Sequence, residues 1–134
     1  MARLVGSPHL VSDQEVVFSS SSRTATENSS DMEQIGFKGV RLFLDISAVT
    51  GTTPTLDVKV QAKDKLSGNY IDLTGAVFAQ KTSTGTDYLT IYPGIGETAN
   101  EAISDLVPNT WRAVATIGGT TPDFTFSLSA EYIV

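Results

Sequence analysis

The sequence predicts an all-β protein, an antiparallel β-sandwich of the immunoglobulin-like or jelly-roll-like kind. Three observations lead to this fold class. Apolar and polar residues alternate through two long stretches, a Gly-Thr-Thr-Pro sequence lies within each, and shorter alternating stretches separate them. The 134 residues match one domain. A closed barrel would show the same pattern.

The first long stretch covers residues 40–62. Its apolar residues recur at every second position before and after a short Gly/Pro segment: Val40, Leu42, Leu44, Ile46, Ala48, then Leu56, Val58, Val60 and Ala62. Period two places them on one face of a half-buried strand. Two such strands joined across residues 51–54 predict a β-hairpin.

The second long stretch repeats this arrangement 68 residues later. Residues 111–117 lead through Gly119-Thr120-Thr121-Pro122 into residues 124–128. Proline has a fixed φ and no N–H, so at the start of a strand it stops the hydrogen-bond ladder without breaking the strand. The sequence therefore predicts two similar hairpins that face each other or lie side by side.

Shorter elements are predicted between the hairpins. Residues 70–73, 77–79 and 87–92 are typical of short strands separated by turns. Thr98 and Glu101 form a capping-box pattern, with apolar residues after them and Pro108 as a stop. We expect one short helix near residues 98–107.

The amino-terminal segment differs in character from the rest. Residues 19–22 are all serine, and such a polar stretch does not predict a core of its own. We expect an extended arm over residues 1–22 and a single sandwich domain over residues 23–134. A neighbouring subunit would hold the arm through candidate assembly-interface residues: Arg3, Leu4, Val5, Leu10, Val11, Val16, Val17 and Phe18.

Composition argues against several functions. The net charge is −6 and the nine Lys and Arg residues are dispersed, so no nucleic-acid surface is predicted. No apolar stretch reaches the ~18 residues of a membrane span. Residues 1–9 lack the apolar run of a secretory signal, which predicts synthesis in the cytoplasm.

No catalytic site, cofactor site or metal site is predicted. The chain has no cysteine and one histidine, His9, which cannot form a histidine dyad or a multi-histidine metal site within one chain. Gly94 and Gly96 lack the third glycine of a dinucleotide fingerprint. We therefore expect a protein that is not an enzyme.

Acidic and aromatic residues are the candidate binding groups of the sequence. Residues 64–70 lack the second and third acidic ligands of a calcium loop, and they predict a plain turn. Asp45 and Asp57 are interpreted as solvated charges. Trp111 shares its parity with Ala113 and Ala115, which favours the core. The tyrosines Tyr88 and Tyr92 alternate away from apolar neighbours and are candidates for exposed aromatics.

Residues 42–61 (LFLDISAVTGTTPTLDVKVQ) and 110–128, with residues 70–75 and 78–80 between them, resemble small virion proteins of tailed bacteriophages. The likeness covers about residues 37–134, and the serine-rich arm matches less well. The resemblance implies a non-enzymatic capsid decoration or cement protein. It implies a place on the outer surface of the head, as oligomers with a trimer favoured. The major capsid protein and copies of the same chain would be its partners.

Two other kinds of function stay open from the sequence. The same β composition fits another virion part, such as a tail, neck or fibre-associated protein. It also fits a carbohydrate-binding β-sandwich module that recognises a host surface through Tyr88, Tyr92 or Trp111. An enzyme ranks last, because the constellations of an active site are missing.

Overall fold

The computed structural model describes residues 12–134, and this range contains strands and no helix. The strands are β1 (Ser12–Arg23), β2 (Glu27–Asn28), β3 (Met32–Glu33), β4 (Gly39–Lys63), β5 (Tyr70–Val77), β6 (Gly85–Ile91), β7 (Ala102–Ile103) and β8 (Thr110–Ile133). The predicted all-β class is confirmed.

A ribbon of two long antiparallel strands organises the sheet. β4 and β8 pair along almost their whole length, from Gly39 opposite Ile133 to Ala62 opposite Trp111. Half-sheet I contains residues 39–50 and 123–133 of the ribbon. In it, β6 pairs with β4, β1 pairs with β8, and β7 pairs in parallel with β6. In half-sheet II, residues 55–63 and 110–118 pair with β5, β2 and β3. The strands thus form one continuous, mixed sheet.

The ribbon folds back on itself. Trp111 and Tyr132 are 21 residues apart in β8, a separation of about 70 Å along a straight strand. Their ring centroids are nevertheless 6.5 Å apart, and the indole N–H of Trp111 donates a hydrogen bond to the Tyr132 hydroxyl at 3.2 Å. The two half-sheets therefore face each other at this contact, with apolar side chains between them.

The two predicted hairpins are not formed. Residues 40–46 have β6 on one side and β8 on the other, and residues 56–62 have β8 on one side and β5 or its flanking residues on the other. Both edges of each part of β4 are therefore occupied, so the two parts do not pair with each other. Each Gly-Thr-Thr-Pro sequence instead bends a continuous strand, because glycine and proline disturb a ladder at a bend as they do at a turn.

The two bends have the same backbone geometry and pack against each other. Gly51 and Gly119 have φ of 114° and 111°, and Thr53 and Thr121 have φ of 47° and 46°. A Cβ on Gly51 would lie 2.7 Å from the Thr121 carbonyl oxygen, and one on Gly119 would lie 2.6 Å from that of Thr53. Only glycine permits both this approach and this φ.

The core follows the predicted alternation. The inward residues of the ribbon are almost fully buried: Val40, Leu42, Leu44, Ile46, Leu56, Val58, Val60, Trp111, Ala113, Ala115, Phe124, Phe126, Leu128, Ala130 and Tyr132. Ala48 was expected on the same face but is exposed. An extra residue between Ile46 and Ala48 shifts the register and reverses the parity there.

The predicted boundary between arm and domain at residue 22 does not match the sheet. Residues 12–23 form β1, which pairs with β8, and Val17 and Phe18 belong to the core at 8% and 2% exposure. A register shift between Val16 and Phe18 explains why two consecutive residues point inward. The four serines, 19–22, are exposed on this strand.

Arg23 secures the end of β1. Its guanidinium lies 5.0 Å from the ring centroid of Phe18 and 4.6 Å from that of Phe126. It donates hydrogen bonds to the carbonyl oxygens of Ser19 and Phe126 at 2.9 and 3.0 Å. Glu27 lies 3.4 Å from its Nε as an ion-pair partner, without hydrogen-bond geometry. A buried charge is stable here because carbonyls, rings and a carboxylate surround it.

The predicted helix near residues 98–107 is wrong. The Glu101 and Ala102 amides both donate to the Thr98 carbonyl, which closes a turn, and Asn100 within it has φ of 65°. This left-handed conformation cannot continue an α-helix. Ala102 and Ile103 then pair with β6, so sheet pairing replaces the capping box that the local sequence indicates.

β5 also differs from its prediction. The sequence predicts separate strands over residues 70–73 and 77–79, but β5 continues from Tyr70 through Thr74 and Gly75 to Val77. The register against β4 shifts between Asp72 and Val77, so the two residues lie in a bulge.

Replacing the bend glycines should destabilise the whole sheet. Gly119→Ala and Gly51→Ala combine a left-handed backbone with a backbone clash, so each should lower the free energy of unfolding by about 2–4 kcal/mol. Gly94→Ala is the matched control, because Gly94 has φ of 88° with open space around it. This control should lower the free energy of unfolding by only about 1–2 kcal/mol. Urea unfolding measures all three, and equal losses would contradict the paired bends.

Candidate functional site

The predicted assembly residues have different positions. Val16 is 66% exposed on β1, whereas Val17 and Phe18 are buried and cannot contact a neighbour directly. The remaining five, Arg3, Leu4, Val5, Leu10 and Val11, lie outside the described residues. Val16 is therefore the one residue of this set that the described structure places on the surface.

β1 is an edge of the sheet. Within residues 12–134 it pairs only with β8, and Ser12 stands opposite Ile133 at the end of the ribbon. An edge strand presents unpaired backbone groups, and bulges such as those of β1 limit casual pairing with other strands. The chain before Ser12 thus joins the folded body at a sheet edge.

Beside this edge, an apolar row crosses the outer surface of half-sheet I. Val16, Ser129, Phe43 and Tyr88 are cross-strand partners on β1, β8, β4 and β6, and they share one face. Tyr88 is 49% exposed, and its ring centroid is 6.4 Å from that of Phe43. Two strands contribute aromatic rings and a third contributes an exposed valine.

Charged residues lie on both sides of this row. Arg41 donates from Nε to the Thr90 hydroxyl at 2.9 Å and lies 5.1 Å from the Tyr88 ring centroid. Asp45 accepts from the Thr86 hydroxyl at 2.8 Å. Glu131 is the cross-strand partner of Arg41. We call this surface the aromatic face and define it by Val16, Arg41, Phe43, Asp45, Tyr88 and Glu131.

The outer surface of half-sheet II has a different character. The Arg112 guanidinium stacks 3.5 Å from the Tyr70 ring centroid, and its Nε donates to the Gln61 side-chain oxygen at 2.9 Å. Gln61 in turn donates to Asp72, which pairs with Lys59 at 3.0 Å. These five residues are called the ion-pair face, after the ion pair between Lys59 and Asp72.

Asp31 extends this network at the β3 edge. It accepts hydrogen bonds from Lys63 Nζ at 2.7 Å and from the Tyr70 hydroxyl at 2.6 Å. The bond from Lys63, followed by that from Tyr70, holds the pKa of Asp31 below its usual value, and the same bond raises the pKa of Lys63. Hydrogen bonds from Gln61 and then Lys59 lower the pKa of Asp72.

The acidic loop after β4 is a self-contained turn. Asp64 accepts hydrogen bonds from the Ser67 hydroxyl and the Leu66 amide, which lower its pKa in that order. Between residues 12 and 134, no group of three or more histidine, aspartate or glutamate side chains is placed to hold a metal ion. Asp45 and Asp57 lie on different half-sheets, and each accepts a hydrogen bond from a neutral side chain.

The three aromatic residues that are candidates for carbohydrate stacking are not equivalent. Trp111 is fully buried, so its predicted core position is confirmed and it offers no platform. Tyr92 is half-buried and donates its hydroxyl to the Val134 carbonyl at 3.1 Å. Tyr88 alone of the three is largely exposed. It borders a shallow depression of about 240 Å³ that Glu101 and Ile95 also line.

The described part of the chain has no helix with the length and apolar character needed to cross a bilayer. Comparison of the chain with family models, with curated proteins and with solved structures finds no match.

The sequence contained one signal for the aromatic face. Phe43 is the apolar exception on the polar side of its strand, and Tyr88 alternates away from apolar neighbours. Their pairing across β4 and β6 depends on register between distant segments, which local pattern does not reveal.

Removing the Asp31 carboxylate should change the acid sensitivity of the protein. A lowered folded pKa gives stability that is present above the ordinary value of 3.8 and is lost as the pH falls through the folded pKa. Asp31→Asn should therefore lower Tm slightly at pH 7, and the difference from the parent should vanish in acid. Thermal unfolding from pH 7 to pH 2 measures it, with Asp105→Asn as an exposed control. A constant difference at every pH would contradict the ion pair.

Proposed function

We propose that this chain is a non-enzymatic structural component of a tailed-phage particle, a head decoration or cement protein that binds the outside of the capsid lattice and stabilises it. The observation that carries the proposal is the position of β1. The chain before Ser12 joins the body at a sheet edge, beside exposed Val16. A segment with apolar residues that is joined to an edge strand is suited to reach a neighbouring protein.

Backbone pairing supplies a physical means of attachment. An extended segment that adds to the edge of a neighbour's sheet gains main-chain hydrogen bonds, and side chains at alternate positions give specificity. Leu4, Val5, Leu10 and Val11 provide the apolar positions in this segment. The major capsid protein and copies of the same chain are the proposed partners, in an oligomer with a trimer favoured.

Two further features support this assignment. The likeness to small tailed-phage virion proteins falls on residues 42–61 and 110–128, which contain both Gly-Thr-Thr-Pro bends. The net charge of −6 suits the outer surface of a head, away from packaged DNA. The contact between Trp111 and Tyr132 supports the finer proposal of a sandwich, immunoglobulin-like or jelly-roll-like, formed by one folded sheet.

Deleting residues 1–11 tests the attachment. The deletion keeps β1 and its core residues, so the body should fold with an unchanged circular dichroism spectrum and Tm. Binding to expanded, undecorated heads, measured by co-sedimentation, should fall at least tenfold from that of the full chain. Unchanged occupancy would show that the segment is not the attachment device. Failure of the full chain to bind heads would overturn the proposed function.

Particle placement has a separate test. Copy number per particle distinguishes a lattice component, present in hundreds of copies, from a tail, neck or fibre-associated protein present in a handful. Quantitative mass spectrometry of purified particles measures it, and a decoration protein should follow the copy number of the major capsid protein.

The exposure of Tyr88 favours a second candidate, a carbohydrate-binding module for host attachment. A partly exposed ring beside Arg41 and Glu101 resembles the mixture of stacking and polar groups that sugar sites use. Glycan-array binding that Tyr88→Ala abolishes would support this candidate, and an array without binding would end it.

A further inference from the structure

The aromatic face has a self-complementary charge pattern. On β4 the outward residues Arg41, Phe43 and Asp45 occur in that order, so opposite charges flank an aromatic ring. Thr90 and Thr86, the cross-strand partners of the two charged residues, lie on either side of Tyr88 on β6. Rotating this pattern by 180° about the apolar row exchanges the positions of the cation and the anion.

From this geometry we infer that the aromatic face binds the aromatic face of a second copy about a twofold axis that runs along the apolar row. Phe43 and Tyr88 of one copy then meet the same residues of the other. Arg41 of each copy lies over Asp45 of the other. An axis parallel to the strands would place Arg41 over Arg41, so the charges select the axis that crosses the strands.

The charge on this face is available for a partner. Within residues 12–134, Arg41 donates a hydrogen bond only through Nε, and Asp45 accepts only from a neutral hydroxyl. The ion-pair face differs, because Lys59 is held in an ion pair with Asp72 of the same chain at 3.0 Å. The contrast identifies the aromatic face as the contact surface.

The size of the face predicts a weak dimer. Four strands at about 4.8 Å spacing and three rows of side chains cover about 400 Å² per copy, about half of a standard interface. Association in solution should therefore need high protein concentration. On a particle, the same contact would be strengthened by the other attachments of each copy.

This contact is separable from the proposed function. It is measured on isolated protein without heads, and its failure would leave head binding by residues 1–11 unaffected. A twofold contact joins two copies, so it adds to any threefold contact made elsewhere on the chain.

Charge exchange at residues 41 and 45 tests the dimer. In Arg41→Asp every copy has Asp at both positions, and in Asp45→Arg every copy has Arg at both, so each homodimer gains two repulsive pairs. The dissociation constant of each homodimer should be at least tenfold higher than that of the parent dimer at low salt. The double exchange Arg41→Asp with Asp45→Arg should restore parent affinity, and an equimolar mixture of the two single variants should form the mixed dimer.

Sedimentation velocity at about 0.5 mM protein provides the measurement, a concentration suited to a small interface. Asp57→Arg, on the outer side of half-sheet II, is the matched control and should dimerise as the parent does. Tyr88→Glu provides a second disruption at a partly exposed position, where folding is least affected. Circular dichroism confirms the fold of each variant.

Two sets of outcomes decide the inference. Loss of dimerisation in both single variants, with recovery of dimerisation in the double exchange and in the mixture, supports the twofold contact. A parent protein that stays monomeric at this concentration overturns it. So does an oligomer whose affinity is indifferent to residues 41, 45 and 88.

Discussion

The rest of the structure depends on the close packing of two bends. Gly51 lies against Thr121 and Pro122, and Gly119 lies against the equivalent residues of the other strand, with no room for a side chain on either glycine. Because both long strands bend at the same level, the ribbon turns as a unit and keeps its hydrogen bonds on both sides. One sheet thereby brings Trp111 and Tyr132, from its two halves, into contact. The repeated Gly-Thr-Thr-Pro sequence is the means by which a ribbon of this length becomes a compact body.

Folding the sheet also creates two unlike outer surfaces. On half-sheet II, cations, carboxylates and amides satisfy one another across three strands, which suits a surface that stays in water. On half-sheet I, exposed Val16 and Tyr88 lie beside charges that have no ionic partner in the described part of the chain. The edge strand β1 borders this second surface. Attachment through the segment before β1 and pairing through the aromatic face would thus use the same side of the molecule.

The alternation of apolar and polar residues predicted those features that depend only on neighbouring residues in the sequence. Period-two alternation identified the strands of the ribbon and most of the core, Trp111 included, because the inward face of a half-buried strand can be read from neighbouring residues. It could not distinguish a turn from a bend, since Gly and Pro interrupt a strand in both cases and the difference lies in the partner strand 68 residues away. The capping box at Thr98 failed for a similar reason, because pairing of Ile103 with β6 outweighs a short helix. The serines before Arg23 concealed a strand that buries Val17, Phe18 and Arg23. The aromatic face could not be predicted from the sequence because it depends on the register of four strands. Only Phe43 indicated it, as an apolar residue on the polar side of its strand.

The contact between Trp111 and Tyr132 tests the folded ribbon most directly. The chain has one tryptophan, so its indole N–H gives a single, unambiguous signal in a nuclear magnetic resonance spectrum. With the indole nitrogen 3.2 Å from the Tyr132 hydroxyl, a nuclear Overhauser cross-peak should join the indole proton to the Tyr132 ring protons. A straight ribbon would separate the two residues by about 70 Å. Absence of the cross-peak in folded protein would contradict the account.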